Sequence, residues 1–268
     1  IMKSIRNKTI WLTGASSGIG EALAYALAKK KTRLILSARR TDELKRVQHK
    51  CIELGAEAEI LSFDLAGVHI LPQIAEKALA IYGRIDILIN NGGISQRSEA
   101  LETPMEIDRR IMDVNYFSSV ALTKALLPHM IAQGEGTIAV MSSFSGKFGW
   151  KQRTAYAASK FALHGFYESL RAELASKKIQ VLIICPARVN TDISLRAIKS
   201  DGAEHGIIDP AQQKGLSAAT VAKKIVRAIE REKKEILIAR IEWVAYYLRK
   251  FIPGIFYRIA ANVDPNKN

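Results

Sequence analysis

The sequence predicts a single α/β domain built on a Rossmann-like, doubly wound parallel sheet with helices on both faces. Three observations predict it. Short β-rich runs alternate with helical patterns along most of the chain. The central runs are apolar on both sides, as strands buried between two helix layers must be. A glycine-rich loop stands at the first strand-to-helix turn, where backbone can approach a phosphate closely.

The strands are expected at TIWLT (9–13), RLILS (33–37), AEIL (58–61), IDILIN (85–90), GTIAVMSS (136–143) and IQVLIIC (179–185). Helices are expected near 18–31, 41–54, 68–82, 106–132 and 154–176. Repeated β-α alternation of this kind gives right-handed crossovers and a parallel sheet. After Cys185, some thirty residues (PARVNTDISLRAIKSDGAEHGIIDPAQQKG) show little periodicity. A long irregular stretch inside a compact domain is usually functional, so 187–215 is expected to be a substrate lid. A helix (217–232), a strand EILIA (235–239) and an apolar, basic tail complete the chain. No repeat or Pro/Ser-rich linker divides it, so residues 1–268 are expected to form one domain.

At 48% hydrophobic and 25% charged residues, the composition is that of an ordinary globular protein and excludes collagen-like, coiled-coil and disordered classes. Cys51 and Cys185 have apolar neighbours and no metal-ligand spacing, and the five histidines show none either, so no metal site and no disulfide framework is expected. The N-terminal stretch has no apolar run of signal-peptide length, which leads us to expect a cytoplasmic chain. The net charge of +14 favours an anionic partner. Its basic residues are scattered without a nucleic-acid reading motif, so nucleic acid is not expected. From Lys223 onward there are eleven Lys/Arg against five Asp/Glu. In this tail Ile241, Val244, Ala245, Leu248, Ile252, Ile255 and Ile259 recur at helical spacing. Pro253 and the charges exclude a plain spanning helix. The segment is expected to be an amphipathic extension (241–268) that packs on the domain or on a partner subunit, with peripheral membrane contact through 241–261 as the less favoured alternative.

The loop TGASSGIG (13–20) follows a strand and opens a helix. Its Gly14, Ser16, Ser17, Gly18, Ile19 and Gly20 are therefore candidate pyrophosphate contacts, aided by the free N–H groups at the helix start. It is not a Walker loop, since no Gly-Lys-Ser/Thr follows. At the end of the second strand an NAD-preferring site would place an acid against the ribose. Here the chain reads Ala38-Arg39-Arg40. A guanidinium grips a 2′-phosphate with charge-assisted hydrogen bonds, so NADP(H) is favoured over NAD(H). Arg39 is expected to provide the grip, and Arg40 to begin a solvated helix.

Tyr156 and Lys160 stand one helical turn apart in TAYAASK, with Ser143 thirteen residues upstream. A free phenol titrates near pH ~10, so base chemistry near neutrality requires a stabilised phenolate, and a nearby lysine ammonium offers one. By themselves these residues also suit plainer roles. Ser142 is as eligible as Ser143, Asn115 fits as a polar residue within a helix, Asn91 as a turn residue, and Thr191 as a helix cap.

In order, TGASSGIG, NNGG (90–93), DVNYF (113–117), MSSFSG (141–146), YAASK (156–160) and PARVNT (186–191) resemble the motifs of the short-chain dehydrogenase/reductase family over roughly residues 7–240. The resemblance implies a catalytic Asn115, Ser143, Tyr156 and Lys160. Tyr156 would exchange a proton with the substrate oxygen while hydride moves to or from the nicotinamide, and Lys160 would also bind the nicotinamide ribose. Asp64, Leu65, Asn91, Gly92, Pro186, Val189 and Thr191 join the glycine loop as cofactor-contact candidates. The expected partners are a small carbonyl or alcohol substrate and further copies of the chain, in a homodimer or homotetramer. NNGG replaces the usual NNAG, Ser118 a usual glycine, and Pro186-Ala187 a usual Pro-Gly. From Asp192 onward the chain resembles the dehydrogenase/reductase member 7 branch, whose members often act on lipid-like ketones at membranes.

Overall fold

A computed structural model describes residues 2–263. Its strands are β1 (Thr9–Thr13), β2 (Arg33–Ser37), β3 (Glu57–Ile60), β4 (Ile87–Asn90), β5 (Gly136–Met141), β6 (Ile179–Pro186), β7 (Val189–Asn190), β8 (Leu216–Ser217) and β9 (Glu235–Ile238). Seven of them form one parallel sheet in the order β3-β2-β1-β4-β5-β6-β9, and β7 and β8 pair separately. The helices are α1 (Gly18–Ala28), α2 (Thr41–Glu53), α3 (Leu71–Tyr82), α4 (Met105–Met112), α5 (Ser118–Ala132), α6 (Thr154–Glu173), α7 (Pro210–Gln213), α8 (Ala218–Glu230), α9 (Trp243–Phe251) and α10 (Pro253–Asn262).

Alternation along each strand sends side chains to two cores. Ile10 and Leu12 of β1 join Leu23 of α1, Leu44 of α2 and Ile225 of α8 on one face. Trp11 joins Leu71 of α3, Leu122 of α5 and Leu163 of α6 on the other. The strand order reverses between β1 and β4, and ligands of such sheets bind in the crevice at the strand C-termini there. The glycine loop after β1 and the NNGG segment after β4 both lie at that point.

Two expectations are corrected. The helix expected over 106–132 is interrupted by a π-helical turn, Asp113–Phe117. Ser118, standing where the family has glycine, is buried and donates its hydroxyl to the Val114 carbonyl at 2.6 Å, which occupies an acceptor as the ladder widens. The tail is not one amphipathic helix. Pro253 cannot continue α9, so the chain turns at Ile252 and restarts as α10. Phe256 is buried with Phe148 and Trp150, whereas Ile241, Val244, Ile252, Ile255 and Ile259 of the expected stripe are exposed. No helix of the described residues is long and apolar enough to cross a membrane.

Candidate active site and cofactor cradle

One cavity of about 750 Å³ opens at the sheet's switch point, and every sequence-predicted site residue except Asn115 lines it. Gly14 (φ +66°) and Gly18 (φ +58°) take the left-handed conformation that disfavours other residues. A Cβ on Gly20 would lie 2.0 Å from the Gly14 carbonyl oxygen, so only glycine lets α1 begin this close to the loop. Asn91 locks the cradle by donating its amide to the carbonyls of Thr13 (3.0 Å) and Gly14 (3.2 Å). Thr13 Oγ1 accepts from the N–H groups of Asn91 and Gly92, each at 3.1 Å. A Cβ on Gly92 would come within 2.4 Å of Leu65 Cδ1, so alanine, which the family motif has here, would need the leucine side chain to shift. A narrow, glycine-lined bed at a helix N-terminus fits the pyrophosphate of a dinucleotide.

Of the two arginines, Arg40, expected to begin a solvated helix, is the one that reaches the glycine loop. Arg40 reaches back over the loop and donates to Ser16 Oγ (3.1 Å) and Ser17 Oγ (2.9 Å). Arg39 is more than half exposed and lies 3.8 Å from Asp64. The reason is local: Arg40 precedes α2 with extended backbone, which turns its side chain toward α1 instead of along the solvated helix.

Ser143 lies two residues beyond β5 and caps a short 3₁₀ turn, its Oγ accepting the Ser145 N–H at 3.1 Å. The turn consumes an acceptor site of Ser143 and leaves its hydroxyl hydrogen free to donate. Ser142 faces elsewhere, donating to the Lys160 carbonyl at 3.2 Å and meeting His164 Nε2 at 3.1 Å. Lys160, 3% exposed, lies 5.6 Å from the Tyr156 ring centroid and donates to the Met141 carbonyl at 2.8 Å. Burial pushes its pKa down to about 8. Burial likewise raises the Tyr156 phenol, against the opposing pull of the Ser143 hydroxyl and the Arg153 charge. The expected lowering is therefore not what the protein surroundings alone produce, because full desolvation outweighs the charges facing the ring.

Asn115 lies behind the cavity in the π-helical turn. Its Oδ1 accepts the Ile94 N–H (2.8 Å), and its amide donates to the Ile94 carbonyl and Ser159 Oγ, both at 3.0 Å. A Cβ on Gly93 would approach Asn115 Oδ1 to 3.0 Å and Lys160 Nζ to 3.5 Å, so this glycine keeps the space beside both polar groups open.

Several residues escaped the sequence reading. Gln96, fully buried, caps α6 from outside, its Oε1 accepting the N–H of Ala155 (2.8 Å) and Tyr156 (3.3 Å). Arg97 and Arg153 both pair with Asp209 Oδ2, the latter at 3.3 Å, and all three residues line the cavity. Burial, then the neighbouring Arg97 charge, pushes Arg153 down to about 10. Arg97 Nε is buried without a hydrogen-bond partner. Gln96 and Arg97 are adjacent, but Arg153 and Asp209 lie far from them in sequence, and no spacing signal announces the group. His164, to which the sequence gave no role, lies 3.4 Å from both Lys147 Nζ and Glu168 Oε1. His164, Glu168 and Glu235 form the one group of possible metal ligands found among the described residues, but Lys147 Nζ already stands 2.6 Å from Glu235 Oε1 and supplies the cation.

Comparison with known proteins agrees with this geometry. Residues 8–201 match the short chain dehydrogenase family model. A Drosophila melanogaster dehydrogenase/reductase SDR family protein 7-like is 42% identical over 95% of this chain and 79% of its own length. A Bos taurus dehydrogenase/reductase SDR family member 7B is 37% identical over 96% and 82%. Among solved structures, a Burkholderia phymatum short chain dehydrogenase/reductase in complex with NAD superposes with TM-score 0.84 at 23% identity, covering 100% of this chain and 99% of that one. A putative NAD(P) dependent gluconate 5-dehydrogenase from Beutenbergia cavernae, with bound NADP, gives 0.76 at 27% identity, covering 90% and 98%. The fold, the glycine cradle and these relatives together place the chain in the short-chain dehydrogenase/reductase family of oxidoreductases, in its member 7-like branch.

Proposed function

We propose that the protein is an NADP(H)-dependent reductase of a carbonyl group, reversible toward the secondary alcohol, with Tyr156 as general acid/base. The observation that carries this reading is the convergence of Ser143, Tyr156 and Lys160 on the cavity that the glycine cradle also lines. The bound nicotinamide supplies or accepts the hydride. Ser143, whose hydroxyl is directed toward the Tyr156 oxygen, is placed to turn its hydrogen to the substrate oxygen instead. Tyr156, its pKa raised by burial, remains a protonated donor at neutral pH, which suits reduction. Arg40 over Ser16 and Ser17 supports the preference for NADP(H), because a 2′-phosphate would meet a guanidinium and two hydroxyls there. Retention of all these groups disfavours a purely regulatory NADP-binding role.

Two arginines sharing one aspartate leave positive charge in the cavity wall. This supports a substrate with an anionic group as well as a carbonyl. A screen of ketones and aldehydes in matched neutral and anionic pairs, followed through NADPH absorbance, tests the reading. Turnover is expected with NADPH, faster at low concentration for anionic members. Arg97→Met is expected to raise KM for those by about tenfold or more while leaving neutral substrates within about twofold. No turnover of any carbonyl or alcohol with either cofactor would sink the enzymatic reading.

A lipid-like substrate at a membrane surface fits the same cavity. Glu242, Ala245 and Val263 of the tail line it, while Val244, Tyr247 and Phe251 of α9 are more than half exposed beside Arg249 and Lys250. An apolar, basic face of this kind binds anionic bilayers. The protein is expected to float with anionic liposomes, and the Val244→Glu, Phe251→Glu variant to remain in solution. Equal flotation of the two forms would remove the membrane from the proposal. Self-association as a homodimer or homotetramer is proposed in addition, supported by the exposed Phe117 and Phe161 on the α5 and α6 side of the sheet.

A further inference from the structure

We propose that Arg196, carried by the lid, is a second guanidinium for the cofactor's 2′-phosphate, so that NADP(H) but not NAD(H) draws the lid turn 191–198 onto the glycine loop. The inference rests on the NADP(H) reading above and adds a residue and a coupling to it.

The lid begins against the cradle. A Cβ on Gly18 would lie 3.3 Å from Thr191 Cγ2, so α1 and the lid touch at the residue that opens the helix. The chain then makes one helical turn, with the Arg196 N–H donating to the Asp192 carbonyl at 3.1 Å. That turn carries the Arg196 side chain back over Asp192, whose carboxylate lies 3.7 Å away, and both residues line the cavity with Arg40, Ser16 and Ser17. The Asp192 pair is half-exposed and long, so its neutralising effect is weak.

Charge points the same way. Arg40 is held below the usual guanidinium range first by burial and next by the positive charge of Arg196, ahead of that of Arg39; Glu43 and Asp192 oppose this. Two guanidiniums that repel one another in the wall of one cavity, one of them already donating to Ser16 and Ser17, make a site that a doubly charged phosphate relieves. A ribose bearing only a hydroxyl gives Arg196 nothing to hold.

The far end of the turn gives this a consequence for substrate. The Ile198 N–H donates to the Ser95 carbonyl at 2.9 Å, and the Arg97 N–H to the Ile198 carbonyl at 2.8 Å. Residues 191–198 thus connect the cofactor loop to the segment from which Gln96 caps α6 and Arg97 lines the cavity. Fixing one end restricts the other.

The test uses the full chain and two readouts besides turnover: dissociation constants for NADPH and NADH from tryptophan fluorescence, and amide hydrogen exchange over 192–198 at saturating NADP⁺ or NAD⁺. Loss of one charge-assisted contact is expected to weaken NADPH binding to Arg196→Gln about tenfold or more, with NADH changed less than about twofold. Arg196→Lys is expected to recover part of the loss. NADP⁺ is expected to slow exchange of the turn in the parent protein and not in Arg196→Gln, and NAD⁺ in neither. Unchanged NADPH affinity in Arg196→Gln, or equal slowing by both cofactors, overturns the proposal. If Arg40→Gln loses the NADPH preference and Arg196→Gln keeps it, the NADP(H) reading stands and the role of the lid falls. If the parent protein binds NADH as tightly as NADPH, the reading itself falls, and the proposal with it.

Discussion

Tyr156→Phe is expected to lower kcat for carbonyl reduction by about 10²- to 10⁴-fold, the range by which a positioned proton donor usually contributes, while NADPH affinity stays within about twofold. The change removes one oxygen from a ring that is 7% exposed, leaving the packing of α6 in place. Gln96 holds the backbone at this position through its side-chain oxygen, so the ring stays where it is when the hydroxyl is gone. A loss confined to kcat would identify an interaction made in the transition state. Steady-state kinetics alongside fluorescence titration check this, and undiminished turnover in the variant would refute the assignment of Tyr156.

Lys160→Met is expected to abolish turnover and yet to make the protein more stable at pH 7. The folded-state pKa of about 8 lies below the ordinary 10.5, so the folded protein binds fewer protons than the unfolded chain between those values. Stability therefore rises with pH across that window, and below it the buried ammonium costs about 3 kcal/mol. Methionine removes that penalty but leaves the Met141 carbonyl without its donor, which returns about 1–2 kcal/mol. The net expectation is a gain of about 1–2 kcal/mol, or a few degrees in Tm, at pH 7. The gain should shrink as pH rises from 8 toward 10.5. Denaturant unfolding at several pH values measures it, and a destabilised variant at pH 7 would show that Lys160 is not held at a cost.

How far the sequence could be read follows from where each signal is stored. The glycine loop was legible because steric demands act on neighbours in sequence: Gly14, Gly18 and Gly20 satisfy one turn. Tyr156 and Lys160 were legible because helical periodicity puts residues four apart on one face. The apolar runs foretold the strands for the same reason, and all seven expected strands appear with boundaries shifted by a few residues at most. The π-helical turn at Asp113–Phe117 was not legible, since an extra residue in a helical turn leaves the hydrophobic pattern nearly unchanged. Which of Arg39 and Arg40 reaches the glycine loop was not legible either. Both are basic and adjacent, and only the path of the chain into α2 decides which one crosses the loop.

By itself, then, the sequence determined the doubly wound sheet, the glycine loop at its switch point and the pairing of Tyr156 with Lys160 on one helix face, because each is written in local sterics or in a fixed periodicity. Only the tertiary structure decided the electrostatics around them. It brought Arg97, Arg153 and Asp209 together from three separate segments, placed Arg40 and Arg196 in the wall of one cavity, and buried Lys160 and Tyr156 deeply enough to reverse the expected shift of the phenol. Desolvation and charge act through space, and the distances through which they act exist only after the chain has folded.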